Sequence, residues 1–201
     1  MTELVINNFF SSKNKLNLLN LYKIIKMRTT NFPAPTYTYN DYKNWKEDWE
    51  LIDGYPYQML PSAIWKHSRI LSLANTQANV SLSKADCDCL VFVELDWKIN
   101  EFTVVRPDLM IVCEELKTDF LEFPPTLIIE ILSPSTMAKD RTIKFEMYRS
   151  QGVKFYIMLD YVKQNAEIFE LIDNNYKQVE KLTFELDKNC QVVFDFDKLW
   201  K

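Results

Sequence analysis

An acidic residue interrupts a strongly apolar run in this chain. Residues 127–132 read LIIEIL, so Glu130 has three aliphatic residues before it and two after it. A short continuous apolar run of this length predicts a strand that is buried on both faces of a sheet. Burying an ionised carboxylate without a partner costs several kcal/mol, so such a group is normally paired, protonated or bound to a metal. The run therefore predicts an internal strand that carries a charge in need of compensation.

The composition is that of a globular domain with a substantial core. The chain has 201 residues, of which 47% are hydrophobic and 26% are charged. Its net charge of −4 means that binding to nucleic acid or to an anionic membrane would need a local basic patch. No apolar run approaches the roughly 18 residues that cross a bilayer, and the N-terminus lacks a secretory signal, so we expect a cytoplasmic protein without membrane contact. We predict that residues 1–34 form a poorly ordered N-terminal extension and that residues 35–201 form a single domain.

Four cysteines, Cys87, Cys89, Cys113 and Cys190, are separated by irregular intervals. They form neither a C-x-x-C pair nor the spacing of a disulfide framework, which argues against both zinc and disulfides. We therefore expect reduced thiols that serve packing.

The order of the predicted elements favours an α/β (mixed α+β) fold. Asp53-Gly54 is a strong hairpin turn motif between short strands over 50–52 and 55–59. Thr38 is a candidate N-cap with Asp41 in the capping-box position, which predicts a short helix over 38–46. The apolar pattern predicts helices over 62–83 and 137–151, strands over 89–97, 103–113, 126–132 and 153–160, and a final hairpin over 165–181. Such an order predicts a central mixed β-sheet flanked by helices.

A second acid occupies a position comparable to that of Glu130. Asp108 follows Pro107 and directly precedes the apolar segment LMIV. Two adjacent strands that each carry one acid could hold both carboxylates at the same end of the sheet. Hard divalent cations such as Mg²⁺ prefer carboxylate oxygens, and they promote phosphodiester hydrolysis by polarising the phosphoryl group and acidifying a water. The two acids are therefore candidate metal ligands.

Several motifs follow one another in a recognisable order between about residues 35 and 172. They are YTYNDY at 37–42, WELIDG at 49–54, His67, RPDLMIV at 106–112, EILSPST at 130–136, Asp140, Lys144 and GVKFYIMLD at 152–160. As a combination, these motifs resemble the PD-(D/E)XK nuclease superfamily, and within it the Uma-two-type restriction endonuclease family.

The resemblance implies a restriction-endonuclease-like core and hydrolysis of DNA by an endonuclease that uses Mg²⁺ or Mn²⁺. It implies that Asp108, Glu130 and the backbone carbonyl of Ile131 bind the metal, that Glu50 is an additional acid near it, and that His67 contacts the substrate. DNA is the expected partner, and a homodimer is an open alternative for the assembly.

The chain departs from the superfamily at the position of the lysine. The motif places that lysine at position 132, where this chain has Leu132. Lys144 is the natural substitute, because on a helix that starts near Met137 it shares a face with Asp140 and Tyr148. We expect its ammonium to support the attacking water if that face crosses the end of the sheet where the carboxylates lie.

Simpler roles remain open for the same residues. Glu130 could form a structural ion pair with Lys144 or an arginine, or could be kept neutral by its apolar surroundings. Lys144 could pair only with Asp140. Glu50 could be an exposed acid at a strand end, and His67 could have a surface or capping role.

An alternative function also follows from the departure at position 132. Leu132 and the negative net charge favour a catalytically inactive nuclease fold that serves as a DNA-binding or protein-interaction module. The position of Lys144 discriminates between the two: an ammonium close to the carboxylates favours catalysis, and one that points to solvent favours the inactive module.

Overall fold

The strands form two β-sheets and a separate hairpin. The computed structural model describes residues 37–59, 65–85 and 87–201. The strands are β1 (Trp49–Ile52), β2 (Tyr55–Gln58), β3 (Leu90–Val93), β4 (Trp97–Asn100), β5 (Thr103–Val105), β6 (Leu109–Val112), β7 (Leu127–Leu132), β8 (Phe155–Asp160), β9 (Asn165–Ile172), β10 (Asn175–Val179), β11 (Thr183–Asp187) and β12 (Cys190–Val193). The prediction for residues 1–34 lies outside the described residues.

The described part of the chain also contains three helices and a short 3₁₀-helix. Helix α1 is Tyr39–Tyr42 and helix α2 is Trp65–Ala85. Helix α3 is one continuous segment made of Met137–Lys139, a π-helical turn over Asp140–Lys144, and Phe145–Ser150. The 3₁₀-helix is Phe196–Leu199. No helix among these described residues is both long enough and apolar enough to cross a membrane.

The larger sheet is mixed and lies between helices α2 and α3. Its six strands run in the order β10-β9-β8-β7-β6-β3, and only the pair β7 and β8 is parallel. A smaller antiparallel sheet has the order β2-β1-β5-β4, and β11 pairs with β12 alone. The predicted central mixed sheet flanked by helices is therefore confirmed.

Strand β7 lies inside the larger sheet and is buried along its whole length. Because side chains alternate between the faces of a strand, Ile129 and Ile131 pack into the apolar cluster that contains α2. Ile128 and Leu132 pack into the opposite cluster, which contains residues of α3. Glu130 shares the parity of Ile128 and Leu132, so its carboxylate lies on the α3 side of the sheet.

Two predicted strands are each divided in the structure. The predicted strand over 103–113 consists of β5 in the smaller sheet and β6 in the larger one. Pro107 lies between them and has no N–H to donate to a sheet, which favours a break there. The predicted strand over 89–97 is divided at Glu94, whose φ of 51° ends β3. The first break places Asp108 at the start of β6.

The local turn and cap predictions agree with the structure, apart from helix lengths. Asp53 and Gly54 have φ values of 51° and 79° in the turn between β1 and β2. The carboxylate of Asp41 accepts hydrogen bonds from the backbone N–H and the hydroxyl of Thr38, at 2.8 and 2.9 Å. Helix α1 nevertheless ends at Tyr42 rather than near residue 46. Residues 62–64 of the predicted second helix lie outside the described residues.

The β11–β12 hairpin was not predicted, although the sequence of β11, TFELD, alternates between polar and apolar residues. Phe184 and Leu186 of β11 are buried against Val192 and Phe194, and they join the apolar cluster that includes α2. The alternation of β11 is the pattern that could have predicted this hairpin.

The cysteines are not free thiols, so that expectation was wrong. The structure pairs Cys87 with Cys190 and Cys89 with Cys113. The antiparallel register of β3 and β6, in which Leu90 faces Val112, continues to bring Cys89 opposite Cys113. Pairing of this kind depends on strand register, which the spacing of the cysteines does not reveal.

Candidate active site

A cavity of about 110 Å³ lies where β6 begins and β7 ends. Residues from both sheets, from α2 and from α3 line it. They include all the candidate site residues of the sequence analysis, namely Glu50, His67, Asp108, Glu130, Ile131 and Lys144. The fold therefore brings these residues to one place.

Asp108 and the end of β7 are joined by a direct hydrogen bond. Leu109 faces Ile129 in the antiparallel pair of β6 and β7, so Asp108 comes opposite Glu130. The Oδ2 atom of Asp108 accepts a hydrogen bond from the backbone N–H of Ile131 at 2.6 Å. The N–H and C=O of one strand residue point to the same edge, so the carbonyl of Ile131 also faces the β6 side, at a level that lies before the first residue of β6.

His67 contacts the other oxygen of Asp108. Its Nε2 atom lies 3.2 Å from Asp108 Oδ1. Burial lowers the pKa of His67, but the hydrogen bond to Asp108 and the charge of that carboxylate outweigh burial and raise it. The imidazole thus belongs to the carboxylate cluster.

Glu130 is almost completely buried, with 3% of its surface exposed. Its Oε1 atom accepts hydrogen bonds from Lys144 Nζ and from the Tyr148 hydroxyl, each at 2.8 Å. Neither bond uses Oε2. Burial raises the pKa of Glu130, and the charge of Lys144 offsets only part of that rise.

Lys144 is equally buried and lies between two carboxylates. Its Nζ atom is 2.8 Å from Glu50 Oε1 and 2.8 Å from Glu130 Oε1, and it lies 3.7 Å from Asp140 Oδ1. Burial alone would lower the pKa of Lys144, but the charges of these three carboxylates raise it well above its ordinary value. The side chain is therefore an ammonium that points into the carboxylate cluster and not to solvent.

Glu50 is fully buried, so it is not an exposed acid at a strand end. Besides Lys144, its carboxylate accepts a hydrogen bond from the backbone N–H of Arg106 at 3.0 Å and pairs with Lys139. Burial acts to raise the pKa of Glu50, but the ammonium groups of Lys144 and Lys139 outweigh it and lower the pKa. Glu50 is an ionised carboxylate that fixes two lysines of α3.

Lys139 is a site residue that the sequence analysis missed. It directly precedes the π-helical turn over Asp140–Lys144, and Lys144, five positions later, is the last residue of that turn. A regular α-helix aligns residues three or four positions apart, so ordinary helical spacing would not have paired these lysines. No sequence pattern identifies a π-helical turn here, and we see no way in which Lys139 could have been found.

The charges of the site do not balance, and this imbalance fits a divalent cation. Five carboxylates and three cationic side chains line the cavity, which leaves a formal charge of −2 when every carboxylate is ionised and His67 is neutral; they are Glu50, Glu94, Asp108, Glu130 and Asp140, and Arg106, Lys139 and Lys144. Asp140 Oδ1 is buried and has no hydrogen-bond partner among the described residues. Oxygen donors with excess negative charge are the environment that Mg²⁺ or Mn²⁺ requires, so the residues present fit such an ion.

We predict that Tyr148→Phe lowers the free energy of unfolding by about 2 kcal/mol, because it removes a buried hydroxyl that donates to a charged carboxylate. Tyr156→Phe is the matched control, since that equally buried hydroxyl donates to the neutral backbone carbonyl of Asp140 at 3.1 Å. It should cost about 1 kcal/mol. Urea denaturation measures both, and equal losses would show that Glu130 is not the stronger acceptor.

The chain matches a protein-family model, a relative of similar length and a solved structure. Residues 37–195 match the model of the Uma2 family, described as "Putative restriction endonuclease". The uncharacterised protein slr1290 of Synechocystis sp. is 27% identical over 186 residues, which cover 84% of this chain and 94% of that protein. A crystal structure described as a "putative nuclease belonging to DUF820", from Anabaena variabilis, superposes with a TM-score of 0.66 at 18% identity, covering 82% of this chain and 98% of that one. At that identity the last likeness concerns the fold alone.

Proposed function

Because the chain belongs to the Uma2 family of putative restriction endonucleases, we propose that it is a metal-dependent endonuclease that hydrolyses DNA phosphodiester bonds. The observation that carries this proposal is the placement of Asp108 and Glu130 at the facing ends of β6 and β7, beside one cavity. The formal charge of −2 in the same cavity also supports it. DNA as the substrate class comes from the family.

Asp108, Glu130 and the carbonyl of Ile131 would hold the cation. A bound Mg²⁺ or Mn²⁺ ion would supply polarisation of the phosphoryl group and a water of lowered pKa. The hydrogen bond from the Ile131 N–H fixes the Asp108 carboxylate, while Lys144 and Tyr148 fix Glu130 Oε1, so Oε2 would be available to hold the ion. Such fixed donors need little reorganisation when substrate binds.

Lys144 and its neighbours would organise the charge around the reacting phosphate. The Lys144 ammonium supports the attacking water, and Glu50 holds it in place through the 2.8 Å ion pair. Lys139 pairs with the other oxygen of Glu50 and is less buried than Lys144. His67 is the residue that we assign to substrate contact, because it lies on the cavity wall beside Asp108.

An inactive nuclease fold that binds DNA or protein is the second candidate. Leu132 at the expected lysine position favours it, as does the engagement of Lys144 by both Glu50 and Glu130. As a DNA-binding module, it would bind DNA and cleave none, whichever divalent cation is added.

The proposal is tested with purified full-length chain on supercoiled, linear and single-stranded DNA. We expect cleavage with Mg²⁺ or Mn²⁺ and none with EDTA. Isothermal titration calorimetry should show Mn²⁺ binding that weakens about tenfold or more in Asp108→Asn, because loss of a charged oxygen ligand weakens a hard cation site. Asp173→Asn, in an exposed turn, is the control and should bind normally.

Circular dichroism establishes that both variants are folded. A wild-type chain that binds neither cation and cuts none of these DNA forms would overturn the proposal. Binding of DNA without cleavage would support the inactive module instead.

A further inference from the structure

All four cysteines lie in one cluster, away from the candidate active site. Asp108 precedes β6 and Cys113 follows it, so five residue steps separate them. At about 3.3 Å per residue, the two ends of this strand are about 17 Å apart. The cysteine cluster therefore forms a second site with its own chemistry.

The sulfur atoms converge more closely than two independent pairs require. The Sγ atoms of Cys87, Cys89 and Cys190 all lie within 4.8 Å of one another. Cys113 joins them through its bond to Cys89. The Sγ atoms of Cys89 and Cys190, which belong to different pairs, are only 3.2 Å apart. Three of the four sulfurs thus lie within reach of a single ion, and the fourth, Cys113 Sγ, is bonded to one of them.

Four cysteine thiolates are the donor set of a structural zinc site. Zinc binds four cysteine sulfurs tetrahedrally at about 2.3 Å, which places neighbouring sulfurs about 3.8 Å apart. Thiolate sulfur also selects zinc over the hard cations that carboxylates prefer. Cys89 and Cys190 are buried, as is usual for a closed structural site, and the other two are half-buried.

We propose that Cys87, Cys89, Cys113 and Cys190, as thiolates, hold one structural Zn²⁺ ion. Each thiol releases its proton when its sulfur binds the ion, and no oxidation or reduction takes place. The two disulfides are the oxidised form of the same four side chains. Zinc and the disulfides are mutually exclusive, because each sulfur is used in both.

The position of the cluster gives the ion a structural task. Cys87 and Cys89 lie between α2 and β3, Cys113 follows β6, and Cys190 begins β12. The β11–β12 hairpin pairs with no other strand of the described chain, so side-chain packing against the apolar cluster that includes α2 holds it in place. Through Cys190 on one side and Cys87 and Cys89 on the other, the ion would link this hairpin to the edge of the larger sheet and to the end of α2.

The test starts from full-length chain kept reduced and titrated with Zn²⁺ alone in competition with a chromophoric chelator. We expect one zinc per chain, and we expect Co²⁺ to give the absorption bands of a tetrahedral thiolate complex. Cys190→Ser should lose both. Glu130→Gln should keep both, because the ion is not in the carboxylate site.

The state of the sulfurs in the purified protein provides an independent measurement. When zinc-loaded chain is denatured without reductant, iodoacetamide should alkylate all four cysteines. Intact mass spectrometry would record the four added groups. A reduced wild-type chain that takes up no zinc and gives no thiolate bands with Co²⁺ would overturn the proposal. This result does not depend on whether Cys190→Ser folds.

Discussion

Glu130→Gln is expected to slow metal-dependent DNA cleavage by about a thousandfold, which corresponds to about 4 kcal/mol of lost transition-state stabilisation. Glutamine has the shape of glutamate, and its carbonyl oxygen can still accept hydrogen bonds from Lys144 and Tyr148. It lacks the negative charge that a hard cation needs. The variant should therefore fold normally and fail in catalysis, as single-turnover cleavage and circular dichroism would record.

Glu170→Gln is the matched control for this variant. Glu170 lies in β9 of the same sheet, where its carboxylate pairs with Lys181 at 2.8 Å and does not line the cavity. The control should cleave at the wild-type rate. If Glu130→Gln also retained that rate, Glu130 would be a structural ion-pair partner only, and the proposed metal site would be wrong.

The centre of the site was predictable because its determinants are local in sequence. The apolar run around Glu130 specifies a buried strand, and the proline before Asp108 specifies where the next strand begins. Capping and turn residues likewise act over three or four positions, as the Thr38–Asp41 contact shows. Elements of this kind are determined by short-range sterics and hydrogen bonding.

The remaining features depend on contacts between distant segments. The division of residues 103–113 between two sheets follows from which strands pair, and the cysteine cluster follows from strand register. The pairing of Lys139 with Glu50 requires both the π-helical turn and the packing of α3 across the end of the smaller sheet. No local pattern encodes these pairings, so the sequence alone indicated the acids of the site more completely than its cations.

Lys144→Met should lower the free energy of unfolding by about 4 kcal/mol, since removing one partner of a buried ion pair leaves uncompensated charge in the interior. Lys144 lies 2.8 Å from both Glu50 and Glu130, and methionine fills a similar volume without a charge. Packing would therefore change little, and the loss would be electrostatic. Urea denaturation of the variant and the wild type measures it.

Two further variants separate charge from packing. Lys139→Met should cost much less, because that side chain is partly exposed and pairs only with Glu50 among the carboxylates. Adding Glu130→Gln to Lys144→Met should restore part of the lost stability, since the added substitution removes the carboxylate that had lost its partner. If the double variant were no more stable than Lys144→Met alone, unpaired charge would not be the cause. Lys144 would then stabilise the chain through the packing of its methylene groups.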